Sequence, residues 1–192
     1  MLALKQRILS DGKVLPGGVV KVDSFLNHQL DPALIVDIGR EFAGLFREEG
    51  ITRILTLEAS GIPIAFMAGL ELGVPVVFAK KGKAKTQNAG VYSAVVRSFT
   101  KGVEYDITVS KAFLEKSDRI LIIDDFLATG EAARGLVNMI GQAGATLVGI
   151  GIVIEKVFQG GGAMLREQGI RLESLAMIEN ITEDGHIVFS EV

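Results

Sequence analysis

Short apolar runs alternate with amphipathic segments along the chain. The first long amphipathic segment begins at Asp31, where an acidic residue followed by Pro32 predicts the start of a helix. Apolar residues then recur at helical spacing from Leu34 to Phe46, until Gly50 ends the pattern. The pattern predicts one long helix with a single apolar face.

The residues that follow predict a strand, a helix and a second strand. Residues 53–58 and 74–79 form short apolar runs that are rich in β-branched residues and leucine. Between them, residues 62–72 are apolar and helical in spacing, and Gly73 gives the helix a C-terminal stop. This order predicts a βαβ unit.

The cycle recurs in the second half of the chain. Residues 119–124 predict a strand, the segment from about Gly130 to Gly144 predicts a helix, and residues 147–155 predict another strand. Nearly continuous apolar strands between helices are typical of a parallel sheet that is covered on both faces. We therefore predict an α/β fold with a doubly wound parallel sheet, formed by one domain over residues 1–192.

Two parts of the chain do not follow this alternation. Residues 80–110 begin with a polar, lysine-rich stretch and continue through two apolar runs that indicate a hairpin, so we expect a flexible lid there. Residues 1–30 and 157–192, one at each end of the chain, are expected to form a small hood beside the main sheet.

Composition narrows the possible functions. The formal net charge is −3 with mixed basic and acidic residues, so the chain lacks the basic stripe of a nucleic-acid binder. Cysteine is absent, which excludes disulfides, thiolate nucleophiles and the usual zinc sites. The most apolar window, residues 147–154, is too short to span a bilayer. We expect a cytoplasmic protein without nucleic-acid or membrane partners.

The segment 120–132 carries the most informative chemistry. Its apolar strand ends in Asp124 and Asp125, and the small residues Ala128 to Gly130 then lead into a helix. Ligands of open α/β sheets bind at the carboxyl ends of strands, and a helix N-terminus offers free amide donors to a phosphate. Carboxylates beside such an anion site suit a ribose 5-phosphate, although paired aspartates also end strands in receiver domains and other nucleotide-binding folds.

This segment resembles the phosphoribosyl pyrophosphate motif of type I phosphoribosyltransferases. The rest of the chain is similar to the bacterial members of that class that act on xanthine, and the segments carrying the resemblance are 22–29, 58–62, 73–78, 122–128 and 149–156. One departure is Ala132, because many members carry a threonine or serine hydroxyl there for the 5-phosphate. In this chain Thr129 and backbone amides are left to hold that phosphate.

The resemblance implies roles for individual residues in binding phosphoribosyl pyrophosphate. Asp124 and Asp125 would act on the ribose as the catalytic pair, and Ser60 and Gly61 would form the pyrophosphate loop. The 5-phosphate would be held by Ala128, Thr129, Gly130, Glu131 and Ala132.

The resemblance also implies a site for the purine base. Val20, Asn27 and Lys156 would surround the base, and Phe158 is a further candidate for stacking on it. The lid would carry three lysines, namely Lys81, Lys83 and Lys85.

The implied reaction transfers the 5-phosphoribosyl group to a purine, with xanthine expected first. The resemblance further implies Mg²⁺ held mainly through pyrophosphate and ribose oxygens, no dedicated metal ligands from the protein, and a homodimer. Two alternatives stay open: the base could be adenine, hypoxanthine/guanine or a pyrimidine, or the chain could be a regulator that senses phosphoribosyl pyrophosphate or purine.

Several of these residues also have a purely structural interpretation. Ser60 and Gly61 could simply cap a helix, and Lys156 could be an ordinary residue at the end of a strand. Residues 160–162, three consecutive glycines, are expected to form a plain loop that leads into a helix, since they lack the spacing of a dinucleotide-binding fingerprint.

Overall fold

The computed structural model describes residues 1–82, 90–97 and 103–190. The α-helices in these ranges are α1 (Leu2–Asp11), α2 (Pro32–Phe46), α3 (Gly61–Leu72), α4 (Glu131–Ala143) and α5 (Gly161–Glu167). The strands are β1 (Lys13–Leu15), β2 (Val19–Lys21), β3 (Arg53–Leu57), β4 (Val76–Gly82), β5 (Val91–Arg97), β6 (Glu104–Ser110), β7 (Arg119–Leu127), β8 (Thr146–Lys156), β9 (Leu172–Ile181) and β10 (Ile187–Phe189).

Eight of these strands form the central sheet, in the order β10-β9-β8-β7-β3-β4-β6-β5. The five strands from β9 to β4 in this order are parallel, whereas β10 and β6 pair antiparallel with their neighbours. The predicted α/β class and parallel core are confirmed. Both predicted βαβ units are present, as β3-α3-β4 and β7-α4-β8.

Each face of the sheet has its own apolar core. Helices α1, α2 and α3 cover one face, where they bury residues such as Ile54 and Leu121. Helices α4 and α5 cover the other face, where Ile122 and Leu136 are fully buried. Burial on both faces explains why the strands read as continuous apolar runs rather than as alternating ones.

Helix α2 is held closely against the sheet. The Asp31 side chain caps the helix by accepting the N–H groups of Ala33 and Leu34 at 3.1 and 3.3 Å. Further along, the Phe42 ring lies directly over Gly151 of β8, where an added Cβ would be 2.8 Å from the ring. Phe46 lies over Gly149 in the same way, at 2.7 Å. Glycines in the strand therefore leave the space that two phenylalanines of the helix fill.

The C-terminal segment was expected to form part of a hood, but its two strands belong to the main sheet. Strand β9 pairs in parallel with β8 and β10 pairs with β9, so both extend the main sheet. Strand β9 has buried residues in both cores, for example Leu172 in one and Ala176 in the other, and such a strand is stable only inside a covered sheet. Helix α1 packs nearby, and the Lys5 ammonium reaches the Ser190 carbonyl at 3.4 Å.

The predicted hairpin in residues 80–110 is present as β5 and β6. These strands pair antiparallel from Val91 with Ser110 to Arg97 with Glu104. They continue the main sheet beyond β4, so much of the segment expected to be a lid contributes regular strands. Its lysine-rich residues 83–89 lie outside the described part of the chain.

A buried ion pair fixes the amino end of β7. The Asp118 carboxylate is 2.9 Å from Arg53 Nε and accepts the Thr52 hydroxyl at 2.9 Å and the Glu115 N–H at 2.8 Å. Burial by itself raises the pKa of Asp118, but these hydrogen bonds together lower it below its ordinary value. This pair ties β3 to the turn before β7, at the edge of the sheet opposite the carboxyl ends of the strands.

None of the helices within the described ranges is long and apolar enough to cross a membrane.

The contact between α2 and β8 gives a stability prediction. We expect Gly151→Ala to lower the free energy of unfolding by about 1–3 kcal/mol, because its methyl group would overlap the Phe42 ring. Chemical denaturation of the purified protein measures this change.

Gly44→Ala is the matched control, since Gly44 lies on α2 with open space around its Cβ position. That substitution should leave stability unchanged or raise it by up to about 1 kcal/mol. Equal destabilisation by the two substitutions would contradict the packing argument.

Candidate active site

The carboxylates predicted from the sequence lie together in a small cavity at the carboxyl ends of β3 and β7. Its volume is about 200 Å³. Both Asp124 and Asp125 line it, as does Ser60 from the turn after β3. The remaining lining residues are Leu57, Glu58, Ala59, Lys81, Tyr105, Phe126 and Ala132. We call this space the carboxylate cavity.

Strand β7 extends beyond its predicted end at Asp124. Phe126 and Leu127 continue the parallel pairing with Ile154 and Glu155 of β8, so the strand ends at Leu127. The paired aspartates are therefore held by a regular sheet on one side.

The turn between β3 and α3 approaches Asp124 closely. A Cβ added to Gly61 would lie 2.9 Å from Asp124 Oδ1 and 2.2 Å from the hydroxyl of Thr56. Only a glycine fits there. Ser60 occupies the N-cap position of α3, but its side chain makes no capping hydrogen bond, so it does not act as a conventional cap. The peptide between Glu58 and Ala59 is cis.

The electrostatics of the carboxylate cavity are unusual. Burial, followed by the charge of Asp125, raises the pKa of Asp124 well above its ordinary value. The backbone N–H of Asp125 donates to Asp124 Oδ1 at 3.0 Å, and the nearby positive charge of Lys81 opposes the rise. Burial and the charge of Asp124 also raise the pKa of Tyr105. Two neighbouring carboxyl groups are thus kept in an environment that favours an added positive charge.

A second cavity, of about 460 Å³, adjoins the first and is built around the start of α4. It shares Tyr105, Phe126 and Ala132 with the carboxylate cavity. Its other lining residues are Gly17, Val19, Val96, Arg97, Leu127, Ala128, Thr129, Gly130, Glu131, Ala133, Lys156 and Gln159. We call it the loop cavity, and it contains all five residues that the resemblance assigns to the 5-phosphate.

The loop Ala128–Gly130 brings the chain from the end of β7 into α4. Gly130 has φ 86°, in the left-handed region that glycine adopts without a penalty, and it is the N-cap of α4. The first N–H groups of a helix have no partner within the helix, and they carry the positive end of its dipole. A loop of small residues followed by such an end is suited to bind a phosphate. Ala132 contributes no hydroxyl, as expected from the sequence.

Lys156 lies on the other side of the loop cavity, at the end of β8. Its ammonium donates to the Gly18 carbonyl at 3.0 Å and lies 5.7 Å from the centre of the Phe126 ring. Burial lowers the pKa of this ammonium. Since Lys156 is 8% exposed and lines the cavity, it is more than an ordinary residue at a strand end.

The other two predicted base contacts, Val20 and Asn27, do not line the loop cavity with their side chains. Val20 is buried in the core beside β1, and its neighbour Val19 lines the loop cavity instead. Asn27 ends a short π-helical turn, and its Oδ1 is buried without a partner among the described residues. Neither side chain lines the two cavities, whereas Phe158 is 44% exposed beside Gly18. The structure therefore brings Lys156 to the site but not the side chains of Val20 and Asn27.

Of the three predicted lid lysines, Lys81 is described and lines the carboxylate cavity. Its backbone N–H donates to Glu58 Oε1 at 2.5 Å, and its ammonium lies 5.6 Å from the centre of the Tyr105 ring. Lys83 and Lys85 lie outside the described residues.

Sequence reasoning missed three polar residues of the loop cavity. Arg97 and Tyr105 come from β5 and β6, and Gln159 comes from the turn after β8. None of them belongs to a local motif, and only the pairing of distant strands brings them to the site. The alternation of β5 and β6 was the one available signal, since it could have separated inward-facing from outward-facing residues.

A larger cavity, of about 600 Å³, borders the loop cavity but contains neither the aspartates nor the loop Ala128–Gly130. It lies beyond Glu131, between β5 and α4, and is lined by residues such as Arg134 and Asn138. The chemistry identified from the sequence is concentrated in the two smaller cavities. We therefore assign the candidate site to them.

The described residues include no group of three or more histidine, cysteine, aspartate or glutamate side chains that could hold a metal ion. Asp124 and Asp125 nevertheless offer hard oxygen donors beside the N-terminus of α4. Mg²⁺ commonly binds to one or two carboxylates together with substrate phosphates. The residues present therefore fit a magnesium ion that a phosphate-bearing ligand helps to hold.

Comparison with protein families and curated proteins gives consistent results. A family model described as phosphoribosyl transferase domain matches residues 27–163. The xanthine phosphoribosyltransferase of Bacillus cytotoxicus is 57% identical over 98% of this chain and 95% of that protein. The xanthine phosphoribosyltransferase of Bacillus cereus is 58% identical over 96% of this chain and 94% of that protein.

Solved structures share the fold at lower sequence identity. The adenine phosphoribosyltransferase of Giardia lamblia, complexed with 9-deazaadenine, has a TM-score of 0.76 at 20% identity and covers 92% of this chain and 98% of its own. The enzyme of Trypanosoma brucei, in complex with AMP, pyrophosphate and ribose 5-phosphate, has a TM-score of 0.72 at 23% identity, covering 91% of this chain and 79% of its own. At these identities the structures show a common architecture only.

The raised pKa of Asp124 gives a prediction about stability. A carboxyl group whose pKa is higher in the folded than in the unfolded state contributes its full stability below the unfolded pKa, and this contribution is lost as pH rises through the folded pKa. We therefore expect Asp124→Asn to raise the free energy of unfolding at neutral pH, because the amide oxygen can still accept the Asp125 N–H. Urea denaturation at neutral and acidic pH measures the effect.

The same experiment contains its own control, since the gain should disappear at a pH below the ordinary pKa of aspartate, which is about 3.9. Asp125→Asn should lower the pKa of Asp124 by removing a neighbouring negative charge, as ¹³C NMR of the carboxyl group would show. A loss of stability in Asp124→Asn that is equal at both pH values would contradict the electrostatic argument.

Proposed function

The chain belongs to the phosphoribosyl transferase family, and from this membership we propose that it transfers the 5-phosphoribosyl group from phosphoribosyl pyrophosphate to xanthine. The products are xanthosine monophosphate and pyrophosphate. The observation that carries the proposal is the adjacency of the paired carboxyl groups of Asp124 and Asp125 to the N-terminus of α4, in two cavities that share three lining residues.

Each part of phosphoribosyl pyrophosphate has a chemically suitable neighbour in the site. The 5-phosphate accepts N–H groups from the loop Ala128–Gly130 and from the first turn of α4, with the Thr129 hydroxyl nearby. The ribose hydroxyls donate to Asp124 and Asp125. The pyrophosphate lies toward Ser60 and Gly61, where Lys81 supplies a positive charge. The shared lining residues of the two cavities support one continuous position for this ligand.

The reaction needs no covalent bond to the enzyme. A nitrogen of the base forms a bond to C1 of the ribose while the bond from C1 to the pyrophosphate oxygen breaks, and positive charge develops on the sugar ring. Carboxylates near that charge stabilise the transition state more than the ground state. The environment of Asp124 and Asp125 is suited to this task. Without a ligand, burial makes two adjacent negative charges unfavourable there, so a positive charge nearby would be strongly stabilised.

Magnesium fits this arrangement, with Asp124 and Asp125 as the residues that would hold it together with oxygens of the substrate. When bound, Mg²⁺ would neutralise charge on the pyrophosphate leaving group. The protein contributes the positions of the carboxylates and the amides of α4.

Xanthine is the base that the curated relatives favour, at 57% and 58% identity over nearly the whole chain. Lys156 supports this choice chemically, since its ammonium can donate to a carbonyl oxygen of an oxidised purine as well as to Gly18. Asn27 would complete the recognition by turning its buried amide toward the base. Val20 would contribute through its backbone, because its side chain is in the core.

Adenine is the second candidate base, since the solved structures with the same fold are adenine phosphoribosyltransferases. Their identity to this chain, at 20% and 23%, is far lower than that of the xanthine enzymes. Adenine presents an amino group where xanthine presents an oxygen, and a lysine ammonium can only donate. Lys156 therefore favours xanthine.

We also propose that the enzyme acts as a homodimer. Helix α3 is apolar around nearly its whole circumference, with Glu71 as its one charged residue, and such a helix is usually buried on all sides. Its outer face instead exposes Phe66 and Leu70, at 60% and 64%. Phe78 of β4 pairs with Thr56 of β3, and the Thr56 side chain faces α3. The Phe78 side chain therefore lies on the same face of the sheet and extends the apolar surface. A second copy of the chain would cover this surface.

The enzyme is proposed to work in the cytoplasm. A chain without cysteine forms no disulfide bonds and so does not depend on an oxidising compartment to fold.

The central prediction is enzymatic. Incubation with phosphoribosyl pyrophosphate, Mg²⁺ and xanthine should yield xanthosine monophosphate and pyrophosphate, and competition among bases should give the highest kcat/KM for xanthine. Separate assays with adenine, hypoxanthine and guanine test the alternatives. Binding of phosphoribosyl pyrophosphate without product from any purine would contradict the proposal and favour the sensing function.

Asp125→Asn is the matched variant for this assay, because it removes one charge and keeps the shape of the side chain. We expect it to lower kcat by about 100-fold or more, the size associated with loss of one electrostatic group in a transition state, without loss of the folded state. Unchanged kcat would contradict the role of this carboxylate.

The dimer can be tested by light scattering after size-exclusion chromatography. The 20.5 kDa chain should behave as a dimer, and Leu70→Arg should produce a monomer because it places a charge in the centre of the apolar surface. Leu9→Arg on α1 is the control, since Leu9 is 58% exposed but lies outside this surface. A dimer that survives Leu70→Arg, or a monomeric native protein, would contradict the proposal.

A further inference from the structure

The N-terminus of α5 contacts the loop Ala128–Gly130, which we call the phosphate-binding loop after its proposed role. The N–H of Gly161 donates to the Ala128 carbonyl at 3.1 Å. A Cβ added to Gly161 would lie 2.4 Å from that carbonyl oxygen and 2.6 Å from the Gly130 nitrogen. The two backbones are therefore in direct contact, and any side chain at Gly161 would push the loop toward the cavity. The three glycines at 160–162 are more than a plain loop.

A buried ion pair holds α5 in this position. The Glu155 carboxylate is 1% exposed, and both of its oxygens accept from the Arg166 guanidinium, each at 2.8 Å. The Ser174 hydroxyl donates to the same carboxylate at 2.5 Å. A Cβ added to Gly162 would lie 1.8 Å from Glu155 Oε1, so the carboxylate occupies the space above the first turn of α5. Two parallel hydrogen bonds of this kind fix orientation as well as distance.

We propose that Glu155, Arg166 and Gly161 are positioning residues that set the geometry of the phosphate-binding loop for the phosphoribosyl donor. The link runs from the end of β8 through the ion pair to α5, and from Gly161 to the Ala128 carbonyl. None of the three residues lines the loop cavity or the carboxylate cavity. They act through the loop and not by contact with substrate. The inference rests on the proposed function, because it concerns the affinity for phosphoribosyl pyrophosphate.

The position of these residues predicts which substrate they affect. Glu155 and Lys156 are consecutive in β8, so their side chains leave the sheet on opposite faces. Glu155 points toward α5, whereas Lys156 points toward Phe126 and Gly18, where the base is proposed to bind. Weakening the ion pair should therefore disturb the phosphate-binding loop while leaving the base side in place.

Two substitutions test the link at its two ends. Arg166→Lys keeps the positive charge but cannot form the paired hydrogen bonds, and Gly161→Ala presses directly on the loop. We expect each to raise the KM for phosphoribosyl pyrophosphate by about tenfold, with much less change in the KM for xanthine. Thermal stabilisation of each variant by ribose 5-phosphate should fall in parallel, and it gives a measure of binding that does not depend on turnover.

The chain offers a matched control for each substitution. Arg53→Lys alters a similar pair, in which Asp118 is also buried, but at the opposite edge of the sheet. Gly141→Ala changes a glycine of α4 that has open space around its Cβ position. Arg53→Lys should lower stability, and neither control should change the KM for phosphoribosyl pyrophosphate selectively.

The outcomes distinguish this inference from the proposed function. If the native protein forms no product with any purine, the proposed function fails. If the native protein is active and Arg166→Lys and Gly161→Ala raise both KM values equally, or lower stability alone, the positioning role is wrong. Should Arg166→Lys fail to fold, Gly161→Ala decides the question by the same comparison of the two KM values.

Discussion

Strand β7 is the element on which both the fold and the candidate site depend. Its buried residues Ile120 to Ile123 face two separate apolar cores, one on each side of the sheet. Because the strand is fixed in this way between β3 and β8, its carboxyl end delivers Asp124 and Asp125 to one cavity. The chain then turns at Gly130 into α4, which brings a helix N-terminus beside the carboxylates. Hydrophobic burial thus places polar groups that would not otherwise lie together.

The candidate site is expected to lower the stability of the folded protein at neutral pH. A buried carboxylate beside a second one is unfavourable in the absence of a positive partner. The pKa of Asp124 is raised for this reason, because its charged form is disfavoured. The opposite edge of the sheet shows the contrasting case, where Asp118 has three hydrogen-bond donors and a lowered pKa. The same residue type therefore stabilises one end of β7 and is proposed to bind the ligand at the other.

Much of this architecture could be predicted from the sequence because its signals are local. Apolar periodicity and glycine stops located α2, α3 and α4, and the strands β3, β7 and β8 were found as apolar runs. The loop Ala128–Gly130 and the paired aspartates are contiguous, so their juxtaposition followed from the strand that carries them. Strand β9 was missed as part of the main sheet because Glu173 and Ser174 interrupt its apolar residues, and Ser174 proves to bind the buried Glu155.

The rest of the site could not be predicted because it depends on contacts between distant segments. Tyr105 and Arg97 reach the cavities only through the antiparallel pairing of β5 with β6 and of β6 with β4. The role proposed for Gly161 likewise depends on the packing of α5 against a loop some thirty residues earlier in the chain. The roles assigned to Val20 and Asn27 stay predictions, since their side chains do not line the cavities.

The opposite charges at the end of β8 have a consequence for how the sheet assembles. A strand shifted by one residue exchanges the faces of all its side chains. In β8 a shift in one direction would place the Lys156 ammonium against the Arg166 guanidinium, and a shift in the other direction would place the Glu155 carboxylate against the Gly18 carbonyl. Either contact would be repulsive, and it would form at a strand position that is almost fully buried. The last two residues of this strand therefore add a charge penalty to the steric one, because a shift would also place an isoleucine at the position of Gly151, against the Phe42 ring.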